Sequence, residues 1–145
     1  MSAPPYVWLH GREEIPGVVV VYLTVDASGA VSYPDLIEAH SGDVILWMVR
    51  NDDTNWPERE VRLLKPFTEI NPDNNEVISD DADPLENLCP SADTSAKSKK
   101  GSTEVIATRV KASNDRKPKR KYKYTLDIEG LEPIDPDLDI TPPHD

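Results

Sequence analysis

The amino-acid sequence predicts an all-β protein built as a two-layer β-sandwich. Short segments rich in β-branched residues alternate apolar and polar side chains, which is typical of strands. Fourteen prolines leave few windows for a helix, because proline is excluded from helix interiors. Antiparallel strands with one polar face bury the other face against a second sheet. We therefore expect residues 1–145 to form a single antiparallel sandwich domain.

The strands are predicted one after another along the chain. Residues 17–26, GVVVVYLTVD, are apolar at both alternating sets of positions, which predicts a strand covered on both faces. Residues 30–40 contain Pro34, which predicts a broken or edge strand. Further strands are predicted at residues 41–52, 60–67, 102–110, 121–130 and 135–140.

The alternation also assigns side chains to faces. In residues 121–130, KYKYTLDIEG, it predicts that Tyr122 and Tyr124 face the core while Lys121 and Lys123 face water. Trp47 lies in an apolar strand and is expected in the core. The lysines are therefore better explained as a solvated face than as a strip for nucleic acid.

Residues 68–101 lack any apolar periodicity. One half is acidic and the other is small and polar, which predicts a mobile inserted loop with a short helical turn near residues 83–88. Residues 141–145, TPPHD, are expected to form a tail.

Charge and composition exclude several classes of protein. The net charge of −11 disfavours nucleic-acid binding, although 11 of the 16 Lys and Arg residues lie between Lys97 and Lys123. No apolar run reaches the ~18–20 residues of a membrane span, and the N-terminus has no leader pattern. We therefore expect a cytoplasmic protein, in which the single cysteine, Cys89, has no intramolecular disulfide partner.

The element GDVILW at residues 42–47, followed by Asn51 and later by KYKYTLDIEG, resembles the corresponding elements of the cupredoxin family. The resemblance covers roughly residues 17–67 and 102–140, and it implies a Greek-key β-sandwich. A weaker similarity links the Gly-Asp-Val-Ile element and the Asp135-Pro136 pair to bacterial PixA/AidA-type inclusion-body proteins, although the aromatic motif expected before that pair is absent.

The copper chemistry of cupredoxins does not transfer to this chain. A cupredoxin site takes two histidines and a cysteine, which the resemblance would place after the two strands that carry it. Residues 51–64 contain no histidine, and residues 125–137 contain neither histidine nor cysteine. The sequence therefore predicts no metal site and no cofactor.

No catalytic motif is present. The chain lacks Gly-x-Ser-x-Gly, and the histidines, His10, His40 and His144, stand far apart in sequence. The carboxylates cluster in loops and near the C-terminus, where solvated charge is expected. We therefore expect no enzymatic activity and no catalytic residue.

These observations favour a non-catalytic module that binds a protein partner. The candidate contact residues are two tryptophans in polar, proline-rich contexts, a neighbouring arginine and two cations of the basic run: Trp8, Trp56, Arg59, Lys119 and Arg120. The alternative role of the two tryptophans, which their context favours, is to cap an open end of the sandwich.

Two alternatives stay open at the level of the sequence. One is a metal-binding, electron-transfer-type protein with nonstandard ligands such as Cys89 and His40. The other is a self-assembling structural protein of the inclusion-body type, in which exposed edge strands join copies into a homo-oligomer.

Overall fold

A computed structural model describes residues 6–8, 17–88, 95–112 and 119–143, and for residues 6–8 it describes the backbone alone. These residues contain twelve strands and no helix. In chain order the strands are β1 Tyr6–Trp8, β2 Val18–Val25, β3 Val31–Ser32, β4 Leu36–His40, β5 Val44–Asn51, β6 Glu58–Ile70, β7 Val77–Ala82, β8 Leu85–Asn87, β9 Ser95–Lys99, β10 Thr103–Val110, β11 Arg120–Ile128 and β12 Asp137–Thr141.

The strands form two sheets of six. The first, sheet A, has the order β1-β2-β5-β10-β8, with β3 beside β2; the second, sheet B, has the order β4-β12-β11-β6-β7, with β9 also beside β6. The predicted all-β sandwich is thus confirmed. The sheets are mixed, because β2 runs parallel to β5 and β12 runs parallel to β4, while the other pairs are antiparallel.

The core lies between the inward-facing side chains of the two sheets. Trp47 is fully buried, and its indole Nε1 donates to Thr108 Oγ1 at 3.1 Å. The Tyr124 ring meets Trp47 edge-on at 5.3 Å between centroids and stacks on Phe67 at 5.5 Å. Tyr122 is also buried. The core positions predicted for Trp47, Tyr122 and Tyr124 are therefore confirmed.

The sandwich has two distinct ends. At the upper end β5 finishes at Asn51, β6 begins at Glu58 and β11 finishes at Ile128. At the lower end β10 finishes at Val110 and β11 begins at Arg120. Both ends carry loops, and loops on a rigid sandwich are where binding residues commonly lie.

The sequence predicts one inserted mobile loop at residues 68–101, but the structure has strands there. It contains the end of β6, all of β7 and β8, and β9, and the residues near 83–88 form a strand instead of a helical turn. These short strands bury few side chains, so their sequences carry little apolar alternation. Cys89 and its neighbours to residue 94 lie outside the described residues.

The C-terminal boundary also differs slightly from its prediction. Thr141, expected to begin the tail, is the last residue of β12 and pairs with His40 of β4. The final residues, 144 and 145, lie outside the described part of the chain.

Candidate functional site

The upper end is closed by a buried arginine. Arg59 belongs to the inward-facing set of β6, and its side chain is only 2% exposed. Its Nη2 donates to Asp53 Oδ2 at 2.7 Å, and its guanidinium lies 4.6 Å from the ring centroid of Trp56. Its Nη1 donates to the carbonyl oxygen of Glu129. Arg59 is therefore an interior packing residue and not the surface contact predicted from the sequence.

Local hydrogen bonds hold the groups around Arg59 in place. The Asp53 backbone N–H donates to Asn51 Oδ1 at 3.1 Å, and Asn51 Nδ2 donates to the Trp56 carbonyl at 2.7 Å. Gly130 has a φ of +81°, and a Cβ there would lie 2.6 Å from the Trp56 ring. Asp53, Trp56, Arg59 and Gly130 thus form one packed unit, the upper cluster. Trp56 caps this end, which is one of the two roles predicted for it from the sequence.

Two of the predicted contact residues lie at the opposite end. Lys119 is exposed and forms a 3.4 Å ion pair with Asp139. Arg120 is half-buried and begins the inward-facing set of β11 that continues with Tyr122 and Tyr124. Trp8 ends β1, of which only the backbone is described. The structure therefore does not bring the five predicted residues together into one surface.

Arg120 lines a cavity of about 330 Å³ between the sheets, the lower cavity. Buried apolar side chains of three strands form its inner wall: Val110, Tyr122 and Ile140. Its charged lining also includes Glu69, Asp83 and Lys111.

The charges at the lower cavity are arranged around Asp83. Lys65 Nζ lies 3.1 Å from Asp83 Oδ1, and Lys111 Nζ lies 3.3 Å from Oδ2. Hydrogen bonds from both lysines outweigh partial burial and hold the pKa of Asp83 below its usual range. Asp83 therefore remains a carboxylate shared by two cations.

The described residues contain no cluster of side chains suited to a metal ion. No group of three or more His, Cys, Asp and Glu side chains is placed there to hold an ion. His40 Nδ1 lies 2.7 Å from the Pro142 carbonyl oxygen and 3.0 Å from Thr141 Oγ1. Cys89, its suggested co-ligand, lies outside the described ranges.

The outward side of sheet A, the outer face, is apolar across three strands. The strand registers align its side chains in rows that cross β2, β5 and β10. One row contains Tyr22, Met48 and Val105. The neighbouring row contains Val20, Leu46 and Ala107, and below these Val18 pairs with Val44.

Exposure distinguishes this outer face from the core. Tyr22 is 44% exposed and Val105 is 43% exposed, although both are large apolar residues in regular strands. Leu88, which is 42% exposed, extends the second row, since its N–H donates to the Ala107 carbonyl. Val20 is only 5% exposed and does not belong to the core cluster. An apolar patch that continues over several strands is typical of an interaction site.

Arginines lie at both ends of the outer face. Arg50 follows Met48 on β5 at the upper end, and its Nε lies 2.9 Å from Asp52 Oδ2. Arg109 is exposed on β10, opposite Val44, at the lower end. Tyrosine, methionine and arginine are the residue types enriched at protein interfaces. The sequence contained the signal for this surface, because residues 17–26 and 41–52 are apolar at both alternating sets of positions.

Membrane insertion through a helix has no support in the described segments, none of which forms a helix of sufficient length and apolar character.

Comparison with known proteins finds similarity only at the level of fold. No protein-family model and no curated protein matches the chain. It is similar, at 13% identity and a TM-score of 0.53, to a chain of the CsuC–CsuE chaperone–tip adhesion subunit pre-assembly complex from archaic chaperone-usher Csu pili of Acinetobacter baumannii, covering 76% of this chain and 50% of that one. A second likeness is to Fet3p, a multicopper oxidase that functions in iron import, at 6% identity and a TM-score of 0.38, covering 86% of this chain and 27% of that one. This chain thus spans half or less of the length of these proteins, and the first likeness agrees with the β-sandwich fold.

Proposed function

We propose that the chain is a non-catalytic protein-binding module whose binding surface is the outer face of sheet A. The observation that carries the proposal is the apolar row of Tyr22, Met48 and Val105, which crosses three paired strands and in which Tyr22 and Val105 are exposed and Met48 is half-buried. Covering such a patch removes apolar surface from water, which is the main driving force of protein association. The arrangement of an apolar centre and a polar margin matches the anatomy of specific interfaces.

The margin of the outer face indicates the chemistry of the partner. Arg50 stands at the upper end of the central strand β5 and Arg109 at the lower end of β10, so two copies packed face to face about a two-fold axis along the strands would place Arg50 near its own copy. Like charges brought together across an interface disfavour that pairing. The surface therefore suits a different protein, with an apolar centre flanked by acidic residues.

A cupredoxin-like ancestry without copper is part of this proposal. Gly42, with a φ of +89°, and Asp43, whose carboxylate accepts the His40 N–H at 2.7 Å, form the turn that starts β5. This turn gives a structural role to the Gly-Asp element that carried the resemblance.

The test compares two leucine-to-aspartate variants. Leu46 lies on the outer face, and Leu64 is an equally half-buried leucine on the outward side of sheet B, paired with Thr125. Wild type, Leu46→Asp and Leu64→Asp are immobilised and exposed to lysate of the source organism, and bound proteins are quantified by mass spectrometry. A charge in an interface centre costs about 2 kcal/mol or more, roughly 30-fold in Kd.

We expect a partner retained by wild type and Leu64→Asp and lost by Leu46→Asp. Val105→Asp, at an exposed position, provides a second outer-face variant with less risk to folding. Retention of every bound protein by both outer-face variants, with folding verified by circular dichroism, would rule out this face.

A further inference from the structure

The lower cavity contains a carboxylate that has no partner in the chain as the structure describes it. Glu69 is the cross-strand neighbour of the buried Tyr122, so the register directs both side chains to the inward side of sheet B. The Glu69 side chain is half-buried and lines the lower cavity. Across the described ranges its carboxylate forms no hydrogen bond and no ion pair. A half-buried acceptor without a donor is unfavourable, because it has lost part of its water without a replacement.

The other charged groups of the lower cavity are already engaged within the chain. The two carboxylate oxygens of Asp83 lie 3.1 Å from Lys65 Nζ and 3.3 Å from Lys111 Nζ. Arg120 also interacts with another group of the chain. Glu69 is therefore the charged group of this lining that a bound molecule could satisfy.

The walls around Glu69 suit an apolar molecule of limited size. Val110 from sheet A and Ile140 from sheet B are buried and face each other across the cavity, and Ala82 and Pro84 add further apolar lining. The volume of about 330 Å³ is at the small end of the ~300–1,000 Å³ range of ligand pockets. It is about twice the ~150 Å³ of a cavity that holds benzene. The space therefore admits one ring or two fused rings.

The charges at the lower cavity favour a neutral ligand. An anion would meet the Glu69 carboxylate, which has no cation paired to it in the described residues. A cation would meet Lys65 and Lys111, which share the single carboxylate of Asp83. Like charges brought together in this way disfavour binding. A neutral N–H or O–H donor satisfies Glu69 without either repulsion.

We propose that the lower cavity binds a small neutral aromatic molecule that carries one N–H or O–H donor, as an indole or a phenol does. The donor pairs with the Glu69 carboxylate, and the ring lies against Val110 and Ile140. A hydrogen bond to a carboxylate is stronger than one between two neutral groups, so this single contact fixes the orientation of the ring. The cavity lies between the sheets and is separate from the outer face, so this proposal does not depend on the proposed protein partner.

Titrations with indole and with benzofuran test the proposal. The two probes have nearly the same shape, but benzofuran carries an oxygen atom where indole carries its N–H donor. Amide chemical shifts of the isotope-labelled protein are followed during both titrations. We expect indole to shift the signals of Val110, Tyr122 and Ile140, and benzofuran to bind about tenfold or more weakly, because it leaves Glu69 without a donor.

Glu69→Met and Glu76→Met form a matched pair of variants. Each replaces one glutamate by an apolar side chain of similar length, and Glu76 is exposed and does not line the lower cavity. We expect Glu69→Met to bind indole and benzofuran with affinities within about threefold of each other, because the acceptor is gone. Glu76→Met should keep the wild-type preference for indole of about tenfold or more.

Three results would overturn the proposal. These are no shifts at the cavity residues with millimolar indole, equal binding of indole and benzofuran by wild type, and an undiminished preference for indole in Glu69→Met. The wild-type titrations decide the first two, so the proposal stays testable even if Glu69→Met does not fold.

Discussion

The position of Arg59 in the alternating pattern of β6 decides that its side chain is buried. Arg59 stands in the charged stretch ERE, and composition alone places it on the surface. Counting back by twos from the buried Leu63 and Val61 reaches Arg59, and the structure follows this alternation. Asp53, the carboxylate that pairs with the buried Arg59 side chain, lies in the loop before β6. A sequence shows the alternation, but it does not show which loop carboxylate will meet the side chain.

Removing Arg59 tests its structural role. In Arg59→Met, Asp53 would remain buried without its cation, and we expect a loss of about 3–5 kcal/mol in the free energy of unfolding. Arg62→Met is the control on the same strand, because the ion pair of Arg62 with Glu60 lies at the surface and should contribute about 1 kcal/mol or less.

Urea unfolding followed by tryptophan fluorescence measures both variants. Trp56 lies against Arg59, so its emission also reports opening of the upper cluster. Equal stability losses for Arg59→Met and Arg62→Met would contradict the interior role of Arg59.

At the scale of the strand, alternation predicted the elements that build the core. β2, β5, β10 and β11 occur within three residues of their predicted bounds, because each must bury one set of side chains. β7, β8 and β9 were not predicted, since edge strands with sequences such as VISDDA and SAKSK bury few side chains. Pairing with β6 and β10 creates them, and pairing between distant segments leaves no local pattern in the sequence.

One buried hydrogen-bonded group connects β5 to β10. Thr108 Oγ1 accepts from the Trp47 indole at 3.1 Å and donates to the Ile45 carbonyl at 3.0 Å. Thr108→Val keeps the shape but leaves the buried indole N–H without this acceptor. We expect a loss of about 1–3 kcal/mol in the free energy of unfolding.

Thr103→Val on the same strand is the matched control. Thr103 is exposed at the upper end, so its substitution should change stability by about 0.5 kcal/mol or less. Chemical denaturation of the three proteins gives the comparison. A Thr108→Val protein as stable as wild type would show that the Trp47 contact contributes little.

At the scale of the whole molecule, the sandwich separates its surfaces by character. The upper end is filled by the chain itself, the lower end is open, and one outer face is apolar. The sequence predicted the fold class, and it placed Arg120 among the candidate contacts. It did not predict the lower cavity or the aligned rows of the outer face, because both depend on registers between strands up to about 100 residues apart.

The buried Tyr124 couples global stability to alkaline pH. Burial, with a smaller effect from the Asp137 charge, raises the pKa of Tyr124 well above its ordinary value of 10.0. Above pH 10 the unfolded chain therefore loses this proton while the folded protein keeps it, so rising pH stabilises the unfolded state. The contribution of Tyr124 is complete below pH 10, and above it we expect a loss of up to about 1.4 kcal/mol per pH unit.

Tyr124→Phe should remove this part of the pH dependence, whatever its effect on stability at pH 8. Tyr22→Phe is the control, because Tyr22 is 44% exposed on the outer face and should leave the slope unchanged. Urea unfolding at intervals between pH 8 and pH 11 gives the free energy of unfolding for each protein, and the slopes above pH 10 are compared. Identical slopes for wild type and Tyr124→Phe would mean that the phenol ionises as readily in the folded protein as in the unfolded chain, which a closely packed core does not permit.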